Sequence, residues 1–480
     1  MKYVIEPRFE NDPLKYFQEL TQIPRGSGNE KAVSDYVAQF AKSLGLWCEQ
    51  DSAYNVYIKK DGVGDGKNKP AVLFQGHLDM VCEKNNDTDF DFLTQPLNLE
   101  IENGWLSAKG TTLGADDGVA IAYMMSLLSE NFENAPPLQC LCTTNEETGM
   151  DGAFAADMSL FSAEKMINLD CGPEGKFTVS CAGGKRTTVT KTVKRKKCDW
   201  SVVKISIGGL QGGHSGSDIN KERGNANKLM ARVLYNLLKN QEIKLISISG
   251  GDKDNAIPRE CVCEVAAQNV HNLKQIVQNL STTFADELAS SDSGIVIDIE
   301  EKKVSQIDAI SEIDTKNIVN LLMALPNGPV HRNIKLNDLV VSSNNVAVVS
   351  SNSDSVMIDM SMRSSIQSLK DDIVDQIEIL SNAFDAKFVH SSEYPGWAFD
   401  EKSELRDLCF DIYKDMYGEN PTIEAIHAGL ECGLLKEKSP KMDIVAMGPL
   451  MQKIHTPEER LNLESFVRMY DYLKKIINSF

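Results

Sequence analysis

Three short apolar runs in the first 170 residues each lead into a histidine or an acid, and this constrains the fold more than any other feature of the chain. Ala71-Val72-Leu73-Phe74 leads into Gly76-His77-Leu78-Asp79. Leu138 to Thr144 leads into Asn145-Glu146-Glu147, and Met166-Ile167-Asn168-Leu169 leads into Asp170. Apolar runs this short read as buried strands. Between the first two, Val119 through Leu128 is apolar almost all round and reads as a buried helix. Residues 28 to 45 read as an amphipathic helix, with Val33, Tyr36, Val37, Phe40 and Leu44 at helical spacing, and Asn55-Val56-Tyr57-Ile58 as a further strand. Strands alternating with helices predict an α/β fold, a central mixed sheet flanked by helices. His77, Glu146, Glu147 and Asp170 then fall at strand carboxyl ends, the edge along which open α/β sheets bind ligands.

The texture changes after Cys181-Ala182-Gly183-Gly184. Thr187 to Thr190, Val202 to Ile207, Val346 to Val349 and Val356 to Arg363 alternate like half-exposed strands, with helices near 225–239 and 369–384. Two rounds of strand, helix and strand predict an α+β domain, built from two similar halves, inserted into the first. Pro395-Gly396 punctuates its exit. The expected organisation is a catalytic domain over 1–183, a lid over 184–394, and the rest of the catalytic domain over 395–480. A chain of 480 residues exceeds a single hydrophobic core, in keeping with that division.

The formal charge of −19 argues against nucleic acid or an anionic membrane as partner. No stretch approaches the roughly 18–20 apolar residues that span a bilayer, and Met1 to Arg8 lacks the apolar core of a signal peptide. Eleven cysteines, with Cys140 and Cys142, and Cys261 and Cys263, spaced to face one side of a strand, read as reduced core residues in a cytoplasmic protein. Several motifs fail on inspection. Gly213-His214-Ser215-Gly216-Ser217 lacks the final glycine of a nucleophile elbow. Asp87 to Asn98 lacks the glycine and glutamate of a calcium loop, and Gly62 to Gly66 neither follows a strand nor opens a helix. The basic run Lys191 to Lys197 has no aromatic platform and reads as a solvated strand edge.

Two histidines and several carboxylates at strand ends are the ligand set that a pair of divalent ions requires. His77 and Asp79, two apart, can point the same way, so that Asp79 accepts the second ring N–H of His77 and fixes its tautomer. Asp116, in Leu113-Gly114-Ala115-Asp116-Asp117-Gly118, would bridge two ions with one oxygen to each, while Asp117 caps the buried helix. Of Glu146 and Glu147, one can ligate while the other takes a proton from water. Asp170 and His455, in Ile454-His455-Thr456-Pro457, complete three ligands per ion, with the ions roughly 3.5–4 Å apart. Zinc suits these nitrogen and carboxylate donors best, with manganese or cobalt as alternatives.

The order Gly-His-Leu-Asp, Gly-Ala-Asp-Asp-Gly, Asn-Glu-Glu-Thr-Gly, Leu-Asp-Cys and a late histidine resembles the M20 di-zinc peptidases. Gly76 to Lys84, Gly208 to Gly216, Arg223-Gly224-Asn225-Ala226 and His427-Ala428-Gly429-Leu430-Glu431-Cys432-Gly433 are similar to the branch that cleaves Xaa-His dipeptides. The resemblance implies that Asp116 bridges, that His77 and Asp170 hold one ion, and that Glu147 and His455 hold the other. It makes Glu146 the general base and acid, Asp79 the residue that orients His77, and the Asp116–Asp117 peptide cis. From the lid, His214 would stabilise the oxyanion, and Asn255 and Arg363 would grip the substrate carboxylate. Glu431 would touch the substrate end from the catalytic domain.

The implied activity is hydrolysis of dipeptides, with a preference for carboxyl-terminal histidine. An N-acyl-amino-acid amidohydrolase or a broader di- or tripeptidase uses the same chemistry. A catalytically inactive peptide- or metal-binding relative is the reading from a different class, and an intact Glu146 and ligand set argue against it. Relatives with simple lids form homodimers in which the lid histidine serves the partner's site. A lid of this length, with two halves, could present His214 in cis, and both arrangements are compatible with the sequence.

Overall fold

The computed structural model describes residues 3–302, 306–334 and 339–480. They form two compact units. One runs up to Ser180 and resumes over Phe399–Ala425 and Glu431–Phe480; the other is Cys181–Ala398 together with Ile426–Leu430. That last short segment lies within the stretch assigned from sequence to the catalytic domain.

The first unit is built on an eight-stranded sheet in the order Trp47–Gln50, Val56–Lys60, Leu138–Thr143, Val72–His77, Lys165–Asn168, Asp443–Ala446, Lys176–Cys181, Thr422–Ile426. The four strands from Leu138–Thr143 to Asp443–Ala446 are parallel, and antiparallel pairs flank them. Parallel strands covered on both faces are apolar over most of their length. Val72–His77 and Leu138–Thr143 are accordingly buried at every position. Helix Ala115–Ser129 is buried along nearly its whole length and packs on Val72–His77. Gly76 permits this approach, since a Cβ there would lie 2.3 Å from the Ala120 Cβ and 2.4 Å from Asp117 Oδ2. The close contact brings Asp116 and Asp117 beside His77.

A four-stranded sheet joins distant parts of the same unit. Its order is Met451–Gln452, Arg460–Asn462, Trp105–Ala108, Leu99–Glu102. The first two strands form a hairpin, and Arg460 and Asn462 pair with Ser107 and Trp105. His455, at a φ of 63°, sits at the hairpin tip. Pairing with Trp105–Ala108 therefore delivers His455 to the loop that enters helix Ala115–Ser129.

The second unit holds a nine-stranded antiparallel sheet. Val296–Lys302, Ser201–Gly208, Cys261–Ala267 and Ile243–Gly250 make one half. Leu339–Ser351, Ser355–Ser364, Gly183–Thr192 and Lys387–Tyr394 make the other, with Gly328–Asn333 added against Leu339–Ser351. The halves meet at Ser249–Ser350 and Gly250–Val349. Helices Ala226–Asn240, Val270–Glu287, Glu312–Ala324 and Gln367–Ala383 supply the rest of the core.

Two local expectations need correction. Lys191 is not on a solvated edge: Gly183–Thr192 is an interior strand, and Lys191 is buried with its ammonium 3.0 Å from Asp385. Leu44 lies beyond the end of helix Lys31–Ser43 and is exposed, because the chain leaves the helix before completing that turn. Among the described residues the eleven cysteines form no disulfide, and no helix is long and apolar enough to cross a membrane.

Candidate metal centre

The ends of the central strands and the hairpin tip converge in the first unit. His77 closes Val72–His77, Glu146 and Glu147 follow Leu138–Thr143, and Asp170 follows Lys165–Asn168. The two oxygens of Asp116 face different histidines. Oδ1 is 3.0 Å from His77 Nε2, and Oδ2 is 3.1 Å from His455 Nε2. Asp170 Oδ1 lies 3.8 Å from His77 Nε2, and Glu147 Oε1 lies 2.9 Å from His455 Nε2. Donor atoms of His77, Asp116 and Asp170 lie within 4.8 Å of one another, as do those of Asp116, Glu147 and His455. Two three-residue groups thus share one aspartate. The peptide between Asp116 and Asp117 is cis.

Asp79 organises two of these segments. Its Oδ1 is 3.3 Å from His77 Nδ1 and accepts the Glu146 N–H, while Oδ2 accepts the Glu147 N–H and the Ser27 hydroxyl at 2.7 Å. Burial opposes a charge on Asp79, but these donors, led by the adjacent His77 ring, hold its carboxyl down at about 2. Asp117 Oδ2 accepts the His77 backbone N–H, and its carboxyl also feels the Ala120 amide three residues on, as an N-cap does.

The electrostatics show what the cluster is suited to hold. Burial, then the nearby Asp116 and Asp117, pushes the Asp170 carboxyl well above the carboxylate range. Burial, reinforced by Glu431 and Glu147, pushes Glu146 up to about 8. His455 is raised to about 10 by its contacts with Asp116 and Glu147. Closely packed buried carboxyls that must hold protons are the expected result when no cation is nearby. Divalent cations reverse each of these shifts, and the donors here are those that zinc-like ions take. The residues fit a pair of such ions: His77, Asp116 and Asp170 for one, and Asp116, Glu147 and His455 for the other.

Beneath the site, Asn168 donates to Gln75 (2.6 Å), and Gln75 (2.5 Å) and Thr143 (2.6 Å) both donate to Glu431 Oε2. These residues lie on the strands that carry the ligands. Glu431 is fully buried, its other oxygen has no hydrogen-bond partner among the described residues, and burial lifts it to about 7. Sequence reasoning passed over Gln75, Thr143 and Asn168. Polar residues inside apolar runs were the available signal.

The residues 73–479 match the family described as Peptidase family M20/M25/M40. The chain belongs to that family. Over 465 residues this M20 chain is 35% identical to the cytosol non-specific dipeptidase of Escherichia coli (strain K12), covering 96% of each. Among solved structures it is similar to the aminoacylhistidine dipeptidase of Vibrio alginolyticus, with a TM-score of 0.93 and 32% identity over 98% of both chains. Aminopeptidase PepT of Bacillus cereus shares the fold, at a TM-score of 0.57 and 14% identity over 97% of both chains.

The second unit of the M20 chain holds the other residues singled out from sequence. His214 pairs with Ala256 across a short bridge, and the Asn255 carbonyl accepts the Ser215 N–H, so these segments are neighbours. His214 Nδ1 accepts the Gly216 and Ser217 amides at 3.2 and 3.3 Å. The neutral ring then carries its proton on Nε2. Burial and Arg363 lower its pKa and keep it neutral. Arg363 is largely buried on strand Ser355–Ser364 and donates to the Tyr394 hydroxyl. Asn255 is exposed.

His427, which sequence reasoning left without a role, is buried in this unit with Nε2 2.7 Å from the Ser343 hydroxyl. Burial, then Arg363, pushes its pKa from 6.5 to about 3. Between these values the unfolded chain binds a proton that the folded unit refuses. Stability should therefore be unaffected above pH 6.5 and fall as pH drops from 6.5 toward 3, by up to about 1.4 kcal/mol per pH unit. Melting of wild type and His427→Gln across pH 7.5 to 4.5 checks this: the variant should show the shallower acid slope, and parallel slopes would remove His427 as the cause.

Proposed function

We propose that the chain hydrolyses dipeptides in a metal-dependent reaction, with Xaa-His dipeptides among its preferred substrates and Glu146 as general base. The observation that carries this is the pair of ligand groups sharing Asp116, with Glu146, which clusters with His77 and Glu147, beside that pair and part of neither group. When bound, a divalent pair polarises the scissile carbonyl and acidifies a water. Glu146 then takes the water's proton on its carboxylate and delivers it to the leaving nitrogen. Asp79 keeps the His77 ring in register and, through the Glu146 and Glu147 amides, fixes the turn that presents the base. The unpartnered oxygen of Glu431 suits the free ammonium of a dipeptide, a group that N-acyl amino acids lack.

In the second unit, the His214 Nε2–H is a donor of the kind that stabilises an oxyanion. Arg363, with its Nε unpartnered among the described residues, supports a carboxylate-binding role, and Asn255 is assigned to the same carboxylate. The Xaa-His preference is supported by the similarity to the Vibrio alginolyticus aminoacylhistidine dipeptidase. The similarity to a non-specific dipeptidase favours a broader range as the second reading. A cytosolic location is supported by the same relative and by eleven cysteines that form no disulfide among the described residues.

Chelator-stripped protein, assayed with and without zinc, manganese or cobalt, tests this on Xaa-His and other dipeptides, a tripeptide and N-acyl amino acids. Metal-restored cleavage led by Xaa-His is expected. Turnover led by N-acyl amino acids would replace dipeptidase with amidohydrolase, and no turnover with any metal would leave a binding protein.

A further inference from the structure

Glu459 is buried four residues beyond His455, and it has four amides around its carboxylate. Oε2 accepts the N–H groups of Leu113 and Gly114 at 2.8 and 2.9 Å; Oε1 accepts those of Ala115 and Asp116 at 2.8 and 3.2 Å. These four consecutive amides end on the aspartate that the two ligand groups share. Arg25, equally buried, takes the same loop by its carbonyl: Nη2 donates to Gly114 O, while Nη1 donates to Leu78 O at 2.9 Å and Asp79 O at 2.8 Å. Gly114 is thus gripped on its N–H by the Glu459 carboxylate and on its C=O by the Arg25 guanidinium, one on each of the two peptide units that flank it. A Cβ at Gly114 or Gly118 would lie 2.6 Å from Arg25 Nη2, which accounts for both glycines of Leu113-Gly114-Ala115-Asp116-Asp117-Gly118.

We propose that Glu459 and Arg25 are positioning residues that preassemble the metal centre by locking together the three segments that carry His77 and Asp79, Asp116, and His455. The inference rests on the metal reading of the site. A buried carboxylate is expensive to desolvate, and backbone amides alone could be satisfied by a neutral turn. What the charged pair adds is rigidity between segments far apart in sequence. Ligand spacing set before binding spares the ion the work of ordering the loop. Outer partners of this kind influence metal affinity by roughly 10–100-fold.

Glu459→Gln is the direct test. The amide keeps the size but offers one acceptor oxygen, so two of the four N–H groups lose their partner and the charge disappears. Zinc titrated into chelator-stripped protein against a chromophoric competitor should show roughly 10–100-fold weaker binding of at least one equivalent. Excess zinc should restore most of kcat. A merely structural role would lower the melting temperature of the stripped protein and leave both zinc Kd values unchanged. Glu459→Asp keeps the charge and both oxygens but withdraws them by one methylene. It should weaken zinc less, and it carries the test should the glutamine variant not fold. Wild-type Kd values in a folded Glu459 variant would overturn the proposal while leaving the metal reading intact. Wild-type protein that binds no zinc would overturn both.

Discussion

Glu146→Gln should retain two metal equivalents and lose about two to four orders of magnitude in kcat. The amide preserves the shape of the side chain and the backbone N–H that Asp79 accepts, so the turn carrying Glu147 should stay in place. What disappears is the ability to accept a proton from water and return it to the leaving nitrogen. Because the base must be ionised to act, the wild-type rate should rise with pH through the Glu146 titration, and the variant should lack that limb. Burial, reinforced by Glu431 and Glu147, puts this titration near 8, and bound cations should draw it lower. The measurement is kcat against pH with metal content determined on the same samples. Full metal content with wild-type turnover would remove Glu146 from the reaction.

Asp116→Ala should lose both ions, because each of its oxygens faces a different ligand group. His455→Ala, which touches one group, should lose a single equivalent. The contrast tests the bridge itself: equal losses from the two variants would argue that Asp116 serves one ion. Binding to the folded state stabilises it, by about 2.7 kcal/mol for a site at a hundred times its Kd. Chelation should therefore lower the melting temperature of the wild type, have a smaller effect on His455→Ala, and leave Asp116→Ala unmoved. Melting curves with and without chelator, alongside metal analysis, check this, and two retained equivalents in Asp116→Ala would dismiss it as a bridging ligand.

The strand ends were legible because their meaning is local. An apolar run covered on both faces has to stop where a polar residue leaves the core, and Gly76-His77, Glu146-Glu147 and Asp170 mark those stops along one edge of a parallel sheet. The buried helix Ala115–Ser129 was legible for the same reason, since no polar face interrupts it. Lys191 shows where such reading ends. Its neighbours alternate like an edge, but strands Ser355–Ser364 and Lys387–Tyr394 flank the strand that carries it. Which strands neighbour one another is set by pairing between residues far apart in the chain.

His455 and Glu459 make the division plain. By itself the sequence determined that ligand-type residues exist in an order matching a di-metal peptidase, and that an α/β sheet would present most of them together. It contained nothing local to separate buried Glu459 from its exposed neighbour Glu458. Only the tertiary structure decided that a hairpin more than three hundred residues beyond Asp116 would pair with Trp105–Ala108, bring His455 to the free oxygen of that aspartate, and place Glu459 under its amides. Periodicity reports which face of an element is buried. The partner it is buried against depends on long-range backbone pairing and on charge satisfied across segments, and neither leaves a trace in the spacing of residues.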